Sequence, residues 1–172
     1  VLDSIQQLLR QPEYLHVLLN PLPVYGLALG AVALAVTASL RSRPASVVAL
    51  CVIFVSAISV WPVAEFGEQG EDRVESMSDR AGYAWLEEHK ERAEKTEPFL
   101  YTTAILALAA LLAPWKFPKT ALPLSIATIL LAFTALGLGT WAAYAGGKIR
   151  HKEFRTGPPP PLRDSEKHSE GG

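Results

Sequence analysis

The residues best equipped for chemistry in this chain are its four histidines, His16, His89, His151 and His168. A neutral imidazole ligates a metal or a haem iron through one nitrogen while a hydrogen bond fixes the other. His16, His89 and His151 are therefore candidate ligands for a bis-histidine haem b. They could equally hold a transition metal with two or three imidazoles and a carboxylate. Asp79, Glu87 and Glu88 could add a ligand or act as acceptors that orient a ring. The competing reading is interfacial, with each ring against lipid and its polar tip in water, and no H-x-E-x-H spacing tips the balance. His168 belongs to a polar tail and reads as solvated. Catalysis has no comparable set: Ser, His and Asp occur, but no nucleophile motif or glycine-rich phosphate loop does. The chain accordingly reads as non-enzymatic. Its one cysteine, Cys51, excludes an internal disulfide and a cysteine-based zinc site, and reads as a small packing residue.

What must position these rings is a set of membrane helices. The chain has 172 residues, 49% hydrophobic, and charged residues are absent from 14–40, 44–64, 98–115 and 120–147. A soluble helix needs a polar face, and these runs have none. Crossing a hydrocarbon core takes roughly 20 helical residues. The expectation is an all-α protein, a bundle of four transmembrane helices at about residues 16–40, 45–64, 99–115 and 121–146. The first run lies behind a mixed polar stretch with no basic segment before it, so it reads as a span and not as a secretory signal.

Residues 1–13 place Leu2, Ile5, Leu8 and Leu9 at helical spacing, which predicts a short interfacial helix ended or bent by Pro12. Residues 14–155 form the membrane domain. Residues 156–172, TGPPPPLRDSEKHSEGG, read as a proline-rich, disordered tail or tether. Four spans put both termini and the 65–97 loop on one face, called side A here. His16, His89 and His151 then share that face. The two short turns on side B carry Arg41, Arg43, Lys116 and Lys119 without an acid, which favours side A outside. Lys and Arg after helix 4 pull the other way.

The 65–97 loop holds eleven acids against five bases. An amphipathic helix at about 74–93 is expected there, with Met77, Ala81, Trp85 and His89 docked on the bundle mouth. Trp85 is the structural anchor, because burying it is worth on the order of 3 kcal/mol. Such docking would carry His89 toward His16 and His151.

Small residues supply a second pattern. Gly26 and Gly30 on helix 1, and Gly137 and Gly139 on helix 4, allow the close backbone approach that drives helix association in lipid. They are candidate interface residues, within the chain or against a larger complex. The spans contain no ionised side chain, which argues against transport.

LHVLLNPLPVYGLALG, with His16 and Pro23, resembles the HPLLVHFP-like opening of the domain of unknown function 2231 family of small bacterial four-helix membrane proteins. Pro21 stands where that family has its second histidine. EEHKER with His89 resembles the family's acidic loop helix, and AGGKIRH, with Gly146, Gly147 and His151, resembles the end of its fourth helix. The resemblance covers residues 14–153. It implies a bacterial inner-membrane, multi-pass protein and invites a redox-cofactor reading, and Pro21 departs from the full histidine pattern. Two functions follow as expectations. The first is a non-catalytic accessory subunit of a respiratory or photosynthetic electron-transfer complex, with lipid and other subunits as partners and no nucleic acid. The second is a small redox protein that binds haem b or a transition metal through histidines on one membrane face.

Overall fold

A computed structural model describes residues 6–162. Helix is the only regular structure among them. The elements are α1 (Pro12–Leu19), a π-helical turn (Leu22–Gly26), α2 (Leu27–Ser39), α3 (Arg43–Ile58), α4 (Val60–Ser76), α5 (Arg80–Lys116) and α6 (Ala121–Arg150). Short 3-10 turns follow at Pro118–Thr120 and Lys152–Phe154. They make four helices long and apolar enough to cross a membrane: Pro12–Ser39, Arg43–Ser76, Arg80–Lys116 and Pro118–Arg150. This is the architecture of a multi-pass membrane protein.

Prolines set the breaks. Pro21 and Pro23 lack the N–H that an α-helix needs, and the first helix relaxes into its π turn there. Pro62 cannot bond to the carbonyl of Ile58, and the second helix breaks between α3 and α4 at Ser59. The first helical hairpin is therefore jointed twice.

The expected loop helix at 74–93 is corrected. Residues 65–97 are the upper parts of two long helices, α4 and α5, joined by a turn at Met77–Ser78–Asp79. The expected span at 99–115 is the lower half of α5. Asp79 explains the restart: its carboxylate accepts from the Gly82 N–H at 2.8 Å and caps α5. At 1.5 Å per residue, residues 65–76 and 80–97 stand about 18 and 27 Å above the apolar slab. The amino-terminal helix is also redrawn. Residues 6–8 form one turn, Gln11 is extended, and the ordered helix starts at Pro12 and joins the first span. Residues 1–5 of that segment, and residues 163–172 with His168, lie outside the described residues. Residues 156–162 form no helix or strand.

The slab is closed by small side chains. Ala31, Ala49, Ala57, Ala104, Ala107, Ala110, Ala132 and Ala135 pack with Leu27, Leu34, Leu50 and Ile53. Small residues let helices touch closely where lipid supplies no hydrophobic force. A Cβ at Gly26 would strike Ser56, and one at Gly30 would lie 2.7 Å from Ile53 Cγ1, so that pair is used inside the chain. Gly137 has open space beside it, and Gly139 would meet only Val24.

Candidate functional site

At the side-A end the two hairpins part. Between them lies a groove of about 430 Å³, lined by α1, α4, α5 and α6. His16 enters from α1 and His89 from α5. Their ring centroids are 6.4 Å apart and their planes cross at 86°.

Both rings are seated by the same device. His16 Nδ1 lies 2.8 Å from the Val63 carbonyl, and His89 Nδ1 lies 2.9 Å from the Ala142 carbonyl. A carbonyl only accepts, so each Nδ1 carries a proton, and in the neutral ring the lone pair is on Nε2. Four residues after each carbonyl, one helical turn on, stands a glycine. A Cβ at Gly67 would lie 2.9 Å from His16 Nδ1, and one at Gly146 would lie 3.1 Å from His89 Nδ1. The glycines are the notches into which the rings fit. Neither Nε2 has a protein hydrogen-bond partner among the described residues. This is the arrangement that fixes tautomer and direction in a metal-ligating histidine.

The surrounding charge is acidic. Glu13 pairs with Arg73 at 2.6 Å, and Glu71 with Lys90 at 2.6 Å. Glu68, Glu94 and Glu97 also line the groove. Burial, then Glu68 and Glu94, pushes the Glu97 carboxyl above its ordinary value. Burial pushes His89 below its ordinary value, and His16 and Arg92 add to that, while the Ala142 hydrogen bond opposes it. His89 is therefore neutral at pH 7, with its lone pair free.

His151 does not join the pair. Helix α6 ends at Arg150 and the backbone of His151 is extended, which turns the ring outward. Its side chain is 58% exposed, 2.9 Å from Glu153 and stacked on Phe154. Among the described residues no group of three or more His, Cys, Asp or Glu side chains could hold a metal ion. The three-histidine cluster is thus reduced to two rings. Asp79, Glu87 and Glu88 are engaged elsewhere, with Arg155, Lys90 and Arg92 respectively.

Trp85 does anchor the upper part of α5. It is 8% exposed and packs with Leu86, Ala145 and Ile149. Lys148, only 3% exposed, places its ammonium 4.2 Å from the Trp85 ring and 4.1 Å from that of Tyr144. Arg155 closes the top. It donates to the Lys148 and Ile149 carbonyls and to both Asp79 oxygens.

Sequence reasoning missed Gly67, and it quoted Gly146 within the AGGKIRH stretch that ends the fourth helix. A lone glycine inside a helical run marks close approach, and that signal was available for Gly67. No known family model, curated protein or solved structure matches the chain. The resemblance to the four-helix family rests on the quoted residues alone.

Proposed function

We propose that this is a bacterial inner-membrane protein, both termini on one side, that binds a transition-metal centre through His16 and His89. The centre is an ion or the iron of haem b; haem iron or a redox-active ion would supply one-electron chemistry when bound. The observation that carries the reading is the doubled seat: two imidazoles facing one groove, each with Nδ1–H spent on a main-chain carbonyl. The chain's own part is to hold those rings, keep their lone pairs free and keep His89 neutral.

Visible absorption and elemental analysis of the purified protein, with and without His16→Ala and His89→Ala, test this. One equivalent of haem or metal, lost in both variants, is expected. Binding that needs neither histidine, or no binding at all, would overturn it. Burial holds His89 below its ordinary value, so acid should compete with the centre at that ring less than it would at a fully exposed histidine.

A second reading, the accessory subunit of an electron-transfer complex, draws on Gly137. It leaves a small-residue gap on the outer face of α6. Crosslinking in native membranes from position 137 should then capture a partner subunit. Migration as a free monomer in mild detergent would count against it.

A further inference from the structure

We propose that the centre is a haem, slotted between the two hairpins, with His16 and His89 as its axial ligands on opposite faces. This rests on the metal-centre reading above and narrows it to one ligand class.

Ring spacing carries the first step. With a metal–nitrogen bond of about 2.1 Å, each imidazole centroid lies about 3.2 Å from the metal. Two rings on opposite sides of one metal then have centroids about 6.4 Å apart; a tetrahedral pair comes to about 5.2 Å and an adjacent pair at right angles to about 4.5 Å. The observed separation is 6.4 Å. It matches the opposed arrangement and exceeds both alternatives. Nδ1 of each ring is already committed to a helix carbonyl, so Nε2 is the nitrogen left to ligate.

The second step concerns the remaining coordination positions. Tetrahedral and octahedral ions need further donors, and no third protein ligand stands with these two rings among the described residues. The equatorial donors must come with the ligand. A porphyrin brings four nitrogens in one plane and takes two axial ligands from the protein.

The third step is space. A bare two-coordinate ion would need only the gap between the rings. The groove has about 430 Å³ and is walled by all four helices, within the range of cofactor sites. Its walls are partly apolar, with Val17, Phe66, Val74, Leu86 and Ile149. Glu13, Glu68, Glu71, Glu94 and Glu97 line it too, so the carboxylates that a haem carries would have to lie toward Arg150 and away from these acids. The hairpins also give the slot its symmetry: each contributes one ring, one carbonyl and one glycine notch, in the same order along the chain. Such a site lies between two equivalent halves, as a planar ligand with two faces requires.

The crossed rings add a signature. Axial imidazoles with perpendicular planes give low-spin ferric haem a single, strongly anisotropic EPR feature. Parallel rings give a rhombic three-line spectrum. The 86° angle selects the first.

The test is titration of the full-length protein in lipid nanodiscs with ferric haem b, and in parallel with Cu(I) and Zn(II). One equivalent of haem, six-coordinate and low-spin when oxidised and when reduced, with the anisotropic EPR feature, is expected. His16→Ala and His89→Ala should each weaken binding at least tenfold and leave a five-coordinate spectrum. Free imidazole should restore the low-spin form, which separates a lost ligand from a lost fold. Tight binding of Cu(I) or Zn(II) through the same two histidines, with no haem bound, would overturn the haem assignment and leave the metal-centre reading standing. Failure of all three probes would end both. Haem binding with an unchanged spectrum in either variant, or a rhombic EPR spectrum, would overturn the axial pair.

Discussion

The two hairpins carry the same histidine seat on frames of different stiffness. The first is interrupted by the π turn at Leu22–Gly26 and again at Ser59, both on the slab side of the His16 seat. Above the breaks, the Glu13–Arg73 ion pair ties α1 to α4. The second hairpin stays helical through 37 residues of α5, with Pro98 and Pro114 inside it, and through 30 of α6. Above the slab Trp85, Lys148, Tyr144 and Arg155 clamp it. His89 thus sits on a continuous helix, and His16 on the arm that carries the breaks.

Removing the clamp should have the largest effect. Trp85→Ala takes out a buried aromatic and one wall of the Lys148 cage, at a cost of about 3–5 kcal/mol. Glu13→Gln in the jointed arm breaks a part-exposed ion pair worth at most about 1 kcal/mol. Hydrogen exchange should therefore rise sharply across residues 80–97 in the first variant and barely change in the second. Similar losses in both would remove the distinction between the arms.

The seats test the same contrast through binding. A branched side chain at Gly146 would press on His89, so Gly146→Val should weaken the proposed centre on the order of 100-fold, the upper range for a group that orients a ligand. Gly67→Val can be met by movement at the joints, and a loss of about tenfold is expected. Haem or metal titration reads both. Equal losses would mean that the first arm is as fixed as the second.

How far this was legible from sequence differs by region. Four spans follow from long uncharged runs, because nothing but helices satisfies their backbone in lipid. Trp85 was readable as an anchor because it is the one tryptophan in the charged 65–97 stretch. The length of α4 and α5 was not, because acidic, helix-favouring residues look the same in a loop helix and in a helix rising from the membrane. Only the Asp79 cap marks where one ends and the next begins. Of the histidines, two of the three site candidates meet. His151 was misjudged because the course of the chain after Arg150 depends on Arg155 reaching back to Asp79, a contact between residues far apart in sequence. Seats built from a glycine on one helix and a ring on another are invisible to a one-dimensional pattern for the same reason.

The groove acids give a smaller effect, and its sign is fixed. Glu97 has a folded-state value above its ordinary 4.5, so its charge opposes the fold at neutral pH. Relative to the parent, Glu97→Gln should therefore be more stable at pH 7, by no more than about 1 kcal/mol given solvent screening. The gain should disappear below pH 4.5, where the parent's carboxyl is protonated in both states. Thermal melts of the two proteins at pH 7 and pH 4 check this. A destabilised glutamine variant at pH 7 would mean that the Glu97 carboxylate is wanted by a partner in the groove.

The smallest effect concerns the top of the fixed arm. Asp79 caps α5, and Lys152 and Arg155 meet its carboxylate at 3.1 and 2.7 Å. The Gly82 N–H, then these two cations, lower its carboxyl from 3.8 to about 2. A depressed value means that the clasp is intact above pH 3.8 and weakens as pH falls through about 2. Asp79 is exposed, so this is a local opening and not unfolding. A spin label at Pro160, through Pro160→Cys in a chain whose own Cys51 has been replaced by Ala, should report it. Mobility should stay low down to pH 4 and rise between pH 4 and pH 2, with α5 still helical by circular dichroism. Asp79→Asn should show the raised mobility at pH 7 and little further change in acid. If the label instead stays immobile down to pH 2, the segment is held by contacts other than the Asp79 clasp.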